Sequence, residues 1–287
     1  MRTFLFSLQK LDRRIIFLGM ALSIFIPLLF PFSLPFRVSK EVQATYDQIE
    51  ALPQGAPVLI SADFDPSSMP ELWPFFQANL HHMFANDLKP VFLTLIPTAP
   101  PLVWPEIKKT ADLYNKEYGV DYAFLGYKDG KELVIKNIGQ NIPQQFPQDY
   151  RGNPISSLKL MQGLKQAKDF PMLIAISSGF PGINEYVLQI QGLYNLPMIG
   201  ACTAVSGPDY IPFFKSKQLL GLSMGIPGSA KYERLVQEKD NVQSFSSSGA
   251  QSLNVLSLSH VYIILLIIVG NLSYFLTRDM EEEDGSN

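Results

Sequence analysis

The chain predicts an α/β fold, a mostly parallel, doubly wound (Rossmann-like) sheet of about six strands, flanked by two transmembrane helices. Three observations carry this. Short apolar runs alternate with longer amphipathic stretches, the signature of βαβ units. The runs are continuously apolar rather than alternating, as in strands covered by helices on both faces. Two long segments, Ile15 to Phe36 and Val255 to Thr277, carry no formal charge.

Residues 1–14 form a basic tail, with Arg2, Lys10, Arg13 and Arg14 against Asp12 alone. The first apolar segment, residues 15–36, has 22 residues, enough at about 1.5 Å each to cross a hydrocarbon core of about 30 Å. No small-x-small cleavage site follows it, so it reads as a retained helix rather than a signal peptide. Pro27, Pro31 and Pro35 each remove a backbone donor, which predicts a kink or an end between Pro27 and Pro31. The span then begins earlier, with residues 3–8 in the headgroup region. Its Gly19-x-x-x-Ser23 spacing suits close helix packing.

The second span, residues 255–277, is denser in Ile, Leu and Val, with His260 expected at the interface and Asn271 against a partner helix. Basic residues ahead of the first span hold the N-terminus in the cytoplasm, and two spans return the acidic tail, residues 278–287, to the same side. The expected localisation is therefore a two-pass protein of the cell membrane. Residues 37–242 form an extracytoplasmic domain, and the Ser/Gln-rich stretch 243–254 is its linker to the second span.

Within the domain a helix is predicted from Lys40 to Leu52. The strands are expected at Val58–Ala62, Val91–Ile96, Tyr122–Tyr127, Met172–Ser177, Met198–Cys202 and Leu219–Met224. Ser68 and Glu71 fit a capping box ahead of Leu72, Phe75, Phe76 and Leu80, and Ser206 to Asp209 fits a second helix start. Helices are also expected over Pro105–Tyr118, ended by Gly119, and over Gly228–Val236. Lys128-Asp129-Gly130 reads as a hairpin turn that would make one edge antiparallel. Residues 137–157, with three prolines, form a long irregular excursion.

The net charge of −3 and the lack of a basic stripe exclude nucleic acid as a partner. A single cysteine excludes an intramolecular disulfide and a thiolate metal cluster. Ligands of open parallel sheets bind outside the carboxyl ends of the strands, so the residues just after each run are the candidates. They are Asp63, Asp65 and Ser67 after the first run, Ser177 and Ser178 after the fourth, and Thr203 after the fifth. Two aspartates two apart after a buried strand are similar to the nucleophile and acid of haloacid dehalogenase-like phosphatases. That chemistry also needs a later lysine and an acidic pair after the fourth run, which here ends Ser177-Ser178-Gly179, so the pattern is not that family's. The reading preferred over a ligand role is structural: one aspartate helps cap the next helix while the other hydrogen-bonds a loop.

Neither Gly-x-Ser-x-Gly nor a phosphate-binding loop is present. The histidines outside the spans, His81 and His82, are helix neighbours about 100° apart that cannot share a metal, and they read as partly exposed surface residues away from the strand tips. Cys202, with no basic residue nearby in sequence, reads as an inert buried thiol. No catalytic residue, metal or cofactor is expected. The function expected is a structural or assembly subunit of a membrane complex, whose partners are the lipid bilayer and other membrane proteins or further copies of itself. A ligand-binding or sensing domain using the polar rim is the alternative, and an enzyme of unknown reaction the second alternative.

Overall fold

The computed structural model of the chain describes residues 12–30, 37–246 and 248–284, of which 277–284 by backbone alone. The chain divides into two compact units, an α/β domain over Phe36–Ala250 and a helical unit drawn from the segments on either side of it.

In the helical unit, α1 (Arg13–Leu29) is N-capped by Asp12, whose carboxylate accepts from the Arg14 backbone N–H at 2.8 Å. It contains Pro27 and ends at Phe30, so the described helix has 17 residues and spans about 26 Å. That is short of a crossing. Residues 31–36 and 3–8, on which the expected longer span depends, lie outside the described residues. The long C-terminal helix Ser248–Asp284 differs, because among the described residues its portion Ser248–Leu276, 29 residues, is the one long and apolar enough to cross a membrane. The expectation of two established spans is thus corrected to one such helix at the C-terminal end. The two helices run antiparallel. The Tyr262 hydroxyl donates to the Ile16 carbonyl at 2.9 Å and Gln251 Nε2 to the Leu28 carbonyl at 3.2 Å. The Tyr262 ring occupies the space a Cβ on Gly19 would need, and Ser23 Oγ lies 3.5 Å from Ser259 Oγ. The Gly19-x-x-x-Ser23 surface is therefore used within the chain.

The domain opens with α2 (Lys40–Glu50) and continues β1 (Pro57–Asp63), α3 (Met69–Ala85), β2 (Lys89–Thr94), α4 (Pro100–Leu113) and β3 (Ala123–Tyr127). Then come α5 (Glu132–Ile138), α6 (Ile142–Gln145), β4 (Met172–Ser177), α7 (Ile183–Tyr186), a π-helical stretch (Val187–Gln191) and α8 (Gly192–Tyr194). It closes with β5 (Met198–Cys202), α9 (Gly207–Lys215), β6 (Gly221–Met224) and α10 (Gly225–Gln237), followed by the long helix α11 (Ser248–Asp284).

All six strands are parallel, in the order β3-β2-β1-β4-β5-β6. Because successive strand residues face opposite sides, each strand feeds two cores. Val58, Ile60, Phe92 and Ile174 pack under Leu72, Phe75, Phe76, Ile107 and Tyr232, on the face covered by α2, α3, α4 and α10. Leu59, Leu93, Leu173 and Ala175 pack under Ile135, Ile138, Ile183, Tyr186 and Ile190, the face covered by α5 to α9. Fully burying each large side chain contributes about 1.5–3 kcal/mol, so both layers are required.

Several expectations are corrected. No edge is antiparallel among the described residues. After Gly130 the chain enters α5, whose buried Val134, Ile135 and Ile138 follow a helical period, and the run Leu133-Val134-Ile135 mimicked a strand only locally. The irregularity at this edge is a bulge between β2 and β3, with Gly126 at φ +87°. Helix α4 starts at Pro100, since prolines are tolerated in a first turn. It ends at Leu113, where Asn115 turns left-handed and the Lys116 N–H returns to Ala111, well before Gly119. The excursion 137–157 is organised by Asp149, which accepts from the N–H groups of Arg151 and Asn153 and from the Tyr118 hydroxyl at 2.7 Å.

The expected linker is shortened because α11 begins at Ser248. Buried Glu233 of α10 accepts from the Gly249 N–H at 2.9 Å and the Ala250 N–H at 3.4 Å, supplying acceptors to the first turn. Burial pushes its carboxyl up to about 7 against those bonds.

Gly221 opens β6 against the α2 backbone, where a Cβ would stand 2.6 Å from Thr45 Cα and 2.8 Å from Thr45 N. Neither atom can yield without moving the helix. Gly221→Ala is expected to lower unfolding free energy by about 1–3 kcal/mol, read as an earlier midpoint in urea unfolding of the domain.

Candidate functional site

Between β1 and β4 the chain's connections leave in opposite directions, which makes their carboxyl ends the switch point where ligands of this architecture bind. The register places Asp63 beside Ser177, and Ser177 beside Cys202, in one row. The candidate residues thus share one edge. Asp63 ends β1, Asp65 and Ser67 lie in the loop to α3, Ser177 and Ser178 end β4, and Thr203 follows β5.

Each is already engaged by the protein. Asp63 is fully buried; one carboxylate oxygen accepts from the Leu95 N–H at 2.6 Å, the other from Ser61 Oγ at 2.5 Å. Ser61 in turn accepts from the Tyr186 hydroxyl at 2.7 Å. The result is a buried chain of hydrogen bonds from α7 through β1 to the end of β2. Burial pushes the Asp63 carboxyl up to about 7, opposed by its bonds from Ser61, Leu95 and Thr94. Asp65 accepts from the Ser67 and Ser68 N–H groups at 3.1 Å each and from both hydroxyls, and this turns the chain into α3. The Ser67 hydroxyl bond has the largest effect, and with the bonds from Ser68 it holds the Asp65 carboxyl below the usual range.

Ser177 Oγ donates back to the Gly179 carbonyl at 2.9 Å, and the Ser178 N–H donates to the Asp63 carbonyl at 3.0 Å, tying β4 to β1 beyond the last strand pair. Thr203 Oγ1 meets Ser206 Oγ at 3.2 Å. The expected capping box is not formed. Ser68 Oγ bonds Asp65, and the Glu71 carboxylate accepts from the Ala204 N–H at 2.7 Å, holding the β5–α9 loop against α3. Burial pushes the Cys202 thiol up to about 12, so it holds its proton.

The histidines are not surface residues. Both are buried, His81 stacked on Phe245 with centroids 4.1 Å apart, His82 on Tyr46 at 4.7 Å. Burial lowers the pKa of each, that of His81 to about 4. His82 is therefore a neutral imidazole that donates from Nε2 to Glu50 at 2.6 Å and accepts the Tyr232 hydroxyl at Nδ1, 2.8 Å away. Tyr232 also receives Asn79 Nδ2 at 3.3 Å. This network ties α2, α3 and α10 together at the end of α3 remote from the rim, so the histidines cannot serve rim chemistry. Ser61, two before Asp63 on the same strand face, was legible as its partner; Tyr186 and Glu50 carried no local signal. Among the described residues no cluster of metal-ligating side chains occurs. A shallow cleft of about 310 Å³, lined by Pro57, Lys89, Val120, Lys159, Leu160 and Leu164, lies at the opposite edge, where β1 and β2 begin.

The Asp63 shift gives a pH test. A carboxyl whose folded pKa is raised adds stability in full below its unfolded value near 4 and loses it as pH rises through about 7. Asp63→Asn removes that loss. The unfolding free energy of the variant is expected to gain on the wild type between pH 4 and 8, by up to a few kcal/mol, in urea titrations across that range. Parallel curves would show that Asp63 does not titrate there.

No family model and no curated protein matches the sequence. A solved structure of a trehalose-6-phosphate synthase aligns with 86% of this chain and 47% of its own, at 8% identity and a TM-score of 0.26. This chain spans about half the length of that protein, and a likeness at this level carries no inference.

Proposed function

We propose that this chain is a membrane-anchored structural or assembly subunit of a membrane complex, whose α/β domain makes protein–protein contacts. The observation that carries this reading is where the domain spends its polar and apolar groups. The candidate ligand edge turns its carboxylates and hydroxyls onto its own backbone and neighbouring side chains, while large apolar side chains stand in solvent. Val205, on the loop after β5, is 88% exposed, and Phe180, on the loop after β4, is 58% exposed. Leu133 of α5, Leu188 of the π-helical stretch and Leu193 of α8 are also exposed, on elements that pack together. Lys131 lies over the Phe180 ring at 5.3 Å, which brings the start of α5 to that loop. Such groupings on a folded domain mark contact surfaces.

The anchor is α11. A two-pass arrangement with both termini cytoplasmic and the domain outside requires the whole segment 15–36 to cross with α11, and the basic N-terminal tail, residues 1–14, favours that orientation. The second reading, a ligand-binding rim, is supported by the row of Asp63 and Ser177 at the switch point. In it Asp63, Asp65, Ser67, Ser177, Ser178 and Thr203 would release their internal partners to the ligand.

Native mass measurement on detergent-extracted protein separates the two. The subunit reading expects an assembly heavier than one chain, dispersed by Leu133→Glu with Leu188→Glu while the domain's melting temperature holds. A monomer at every concentration overturns it. The rim reading expects a melting-temperature rise with magnesium or phosphate that Asp63→Ala abolishes. Protease added outside sealed vesicles is expected to digest the domain; digestion only from the cytoplasmic face reverses the orientation.

A further inference from the structure

The exposed apolar side chains of the domain fall into two sets. Leu133, Leu188 and Leu193 lie on the helical layer, whereas Phe180 and Val205 stand on the loops after β4 and β5, at the carboxyl edge of the sheet. Tyr127, 37% exposed, ends β3 at the same edge, and Lys131 lies over the Phe180 ring. An aliphatic tip, two aromatic rings and a lysine on neighbouring loops are side chains that favour a membrane–water interface.

Where the chain enters and leaves the domain singles out this edge. Helices α3 and α10 both start from it, after β1 and β6. The end of α2 lies at the far end of α3, since Glu50 bonds His82 and Tyr46 stacks on it, so the start of α2 points toward the carboxyl edge. The chain that follows α10 climbs back along α3. Lys239 pairs with Glu50 at 2.8 Å, Phe245 stacks on His81, and Ser248 Oγ lies 3.4 Å from Gln77 Oε1. Gly249 then fits so closely that an added Cβ would stand 3.0 Å from the Cβ of Pro74, in the second turn of α3. Both connections to the flanking helices therefore leave on the carboxyl-edge side. From Gly249 to Val255, where the uncharged stretch begins, is about 9 Å of unbroken helix. A further layer of packed helix needs about 8–10 Å, so no partner layer fits between this edge and a bilayer that holds α11.

We infer that the carboxyl edge of the sheet rests on the bilayer, with Val205 and Phe180 in its headgroup layer. Attachment of the chain at this edge keeps both tips at a high effective concentration near the lipid, so a contact of two side chains suffices. The inference rests on α11 as the anchor. It divides the exposed apolar side chains of the subunit reading, giving Val205 and Phe180 to lipid and leaving Leu133, Leu188 and Leu193 for protein.

The test uses the full chain reconstituted in phosphatidylcholine vesicles. Cys202 is buried and holds its proton, so it stays unlabelled, and wild type carried through the labelling sets the blank. Val205→Cys, Phe180→Cys and, at the opposite edge, Lys159→Cys are each labelled with an environment-sensitive fluorophore. Quenching by lipid that carries a nitroxide high on its acyl chain, in both leaflets, is expected to be at least about twofold stronger at 205 and 180 than at 159. Quenching at either tip no stronger than at 159 overturns the contact. Shielding of 205 from both the lipid quencher and aqueous iodide overturns it too, because protein would then cover the tip. Carbonate extraction keeps the two levels apart. Release of the chain from membranes removes the anchor reading and the edge contact with it, whereas a chain that stays in the membrane with unquenched tips removes the edge contact alone.

Discussion

A parallel sheet must be covered on both faces, and most of this domain follows from that requirement. Every strand here has apolar side chains directed up and down, so neither face can meet water. Each connection must also carry the chain back to the starting edge, and the helices that do so supply the covering layers. With the order β3-β2-β1-β4-β5-β6, the chain builds outward from β1 in one direction, then from β4 in the other. All the strand ends consequently share one edge, and the loops gathered there include each candidate polar residue.

What those loops do with their polar groups is a question of burial. Asp63 is enclosed by β2, β4 and α7, and a carboxylate enclosed in that way must find donors or take up a proton. It does some of each, accepting from Leu95 and Ser61 while its pKa rises. Glu233 repeats the pattern at the start of α11, where helix N–H groups supply the donors. His82 solves the same problem by staying neutral between Glu50 and Tyr232. These buried groups join elements remote in sequence, and they fix the relative placement of α2, α3, α10 and the start of α11.

The strands were legible because the signal for a doubly covered strand is local, a short unbroken apolar run such as Met172–Ser177. Helix limits were less so. The start of α4 moved to Pro100 because a proline signals a first turn without saying which turn is first, and Leu133-Val134-Ile135 satisfied a strand and a helix equally over three residues. The capping box failed for a different reason. Glu71 had the right spacing to cap its own helix, but the Ala204 N–H, 133 residues later in the chain, offered a partner that spacing cannot reveal. His81 and His82 were misplaced because adjacent residues on a helix ordinarily divide between core and solvent, whereas α3 is packed around much of its circumference, by the sheet, α2, α10 and the segment holding Phe245.

The sequence by itself determined the α/β class, the six strands and their edge, and the apolar helix near the C-terminus. All are set by runs of hydrophobicity within a few turns or one strand. Tertiary structure alone decided that the Gly19-x-x-x-Ser23 surface serves Tyr262 and Ser259, that Asp63 is bonded inward, and that the histidines are buried. Those outcomes depend on which groups meet across long separations in sequence. Hydrogen bonding and close approach are settled by distances of a few ångströms between such groups, and no local pattern encodes them.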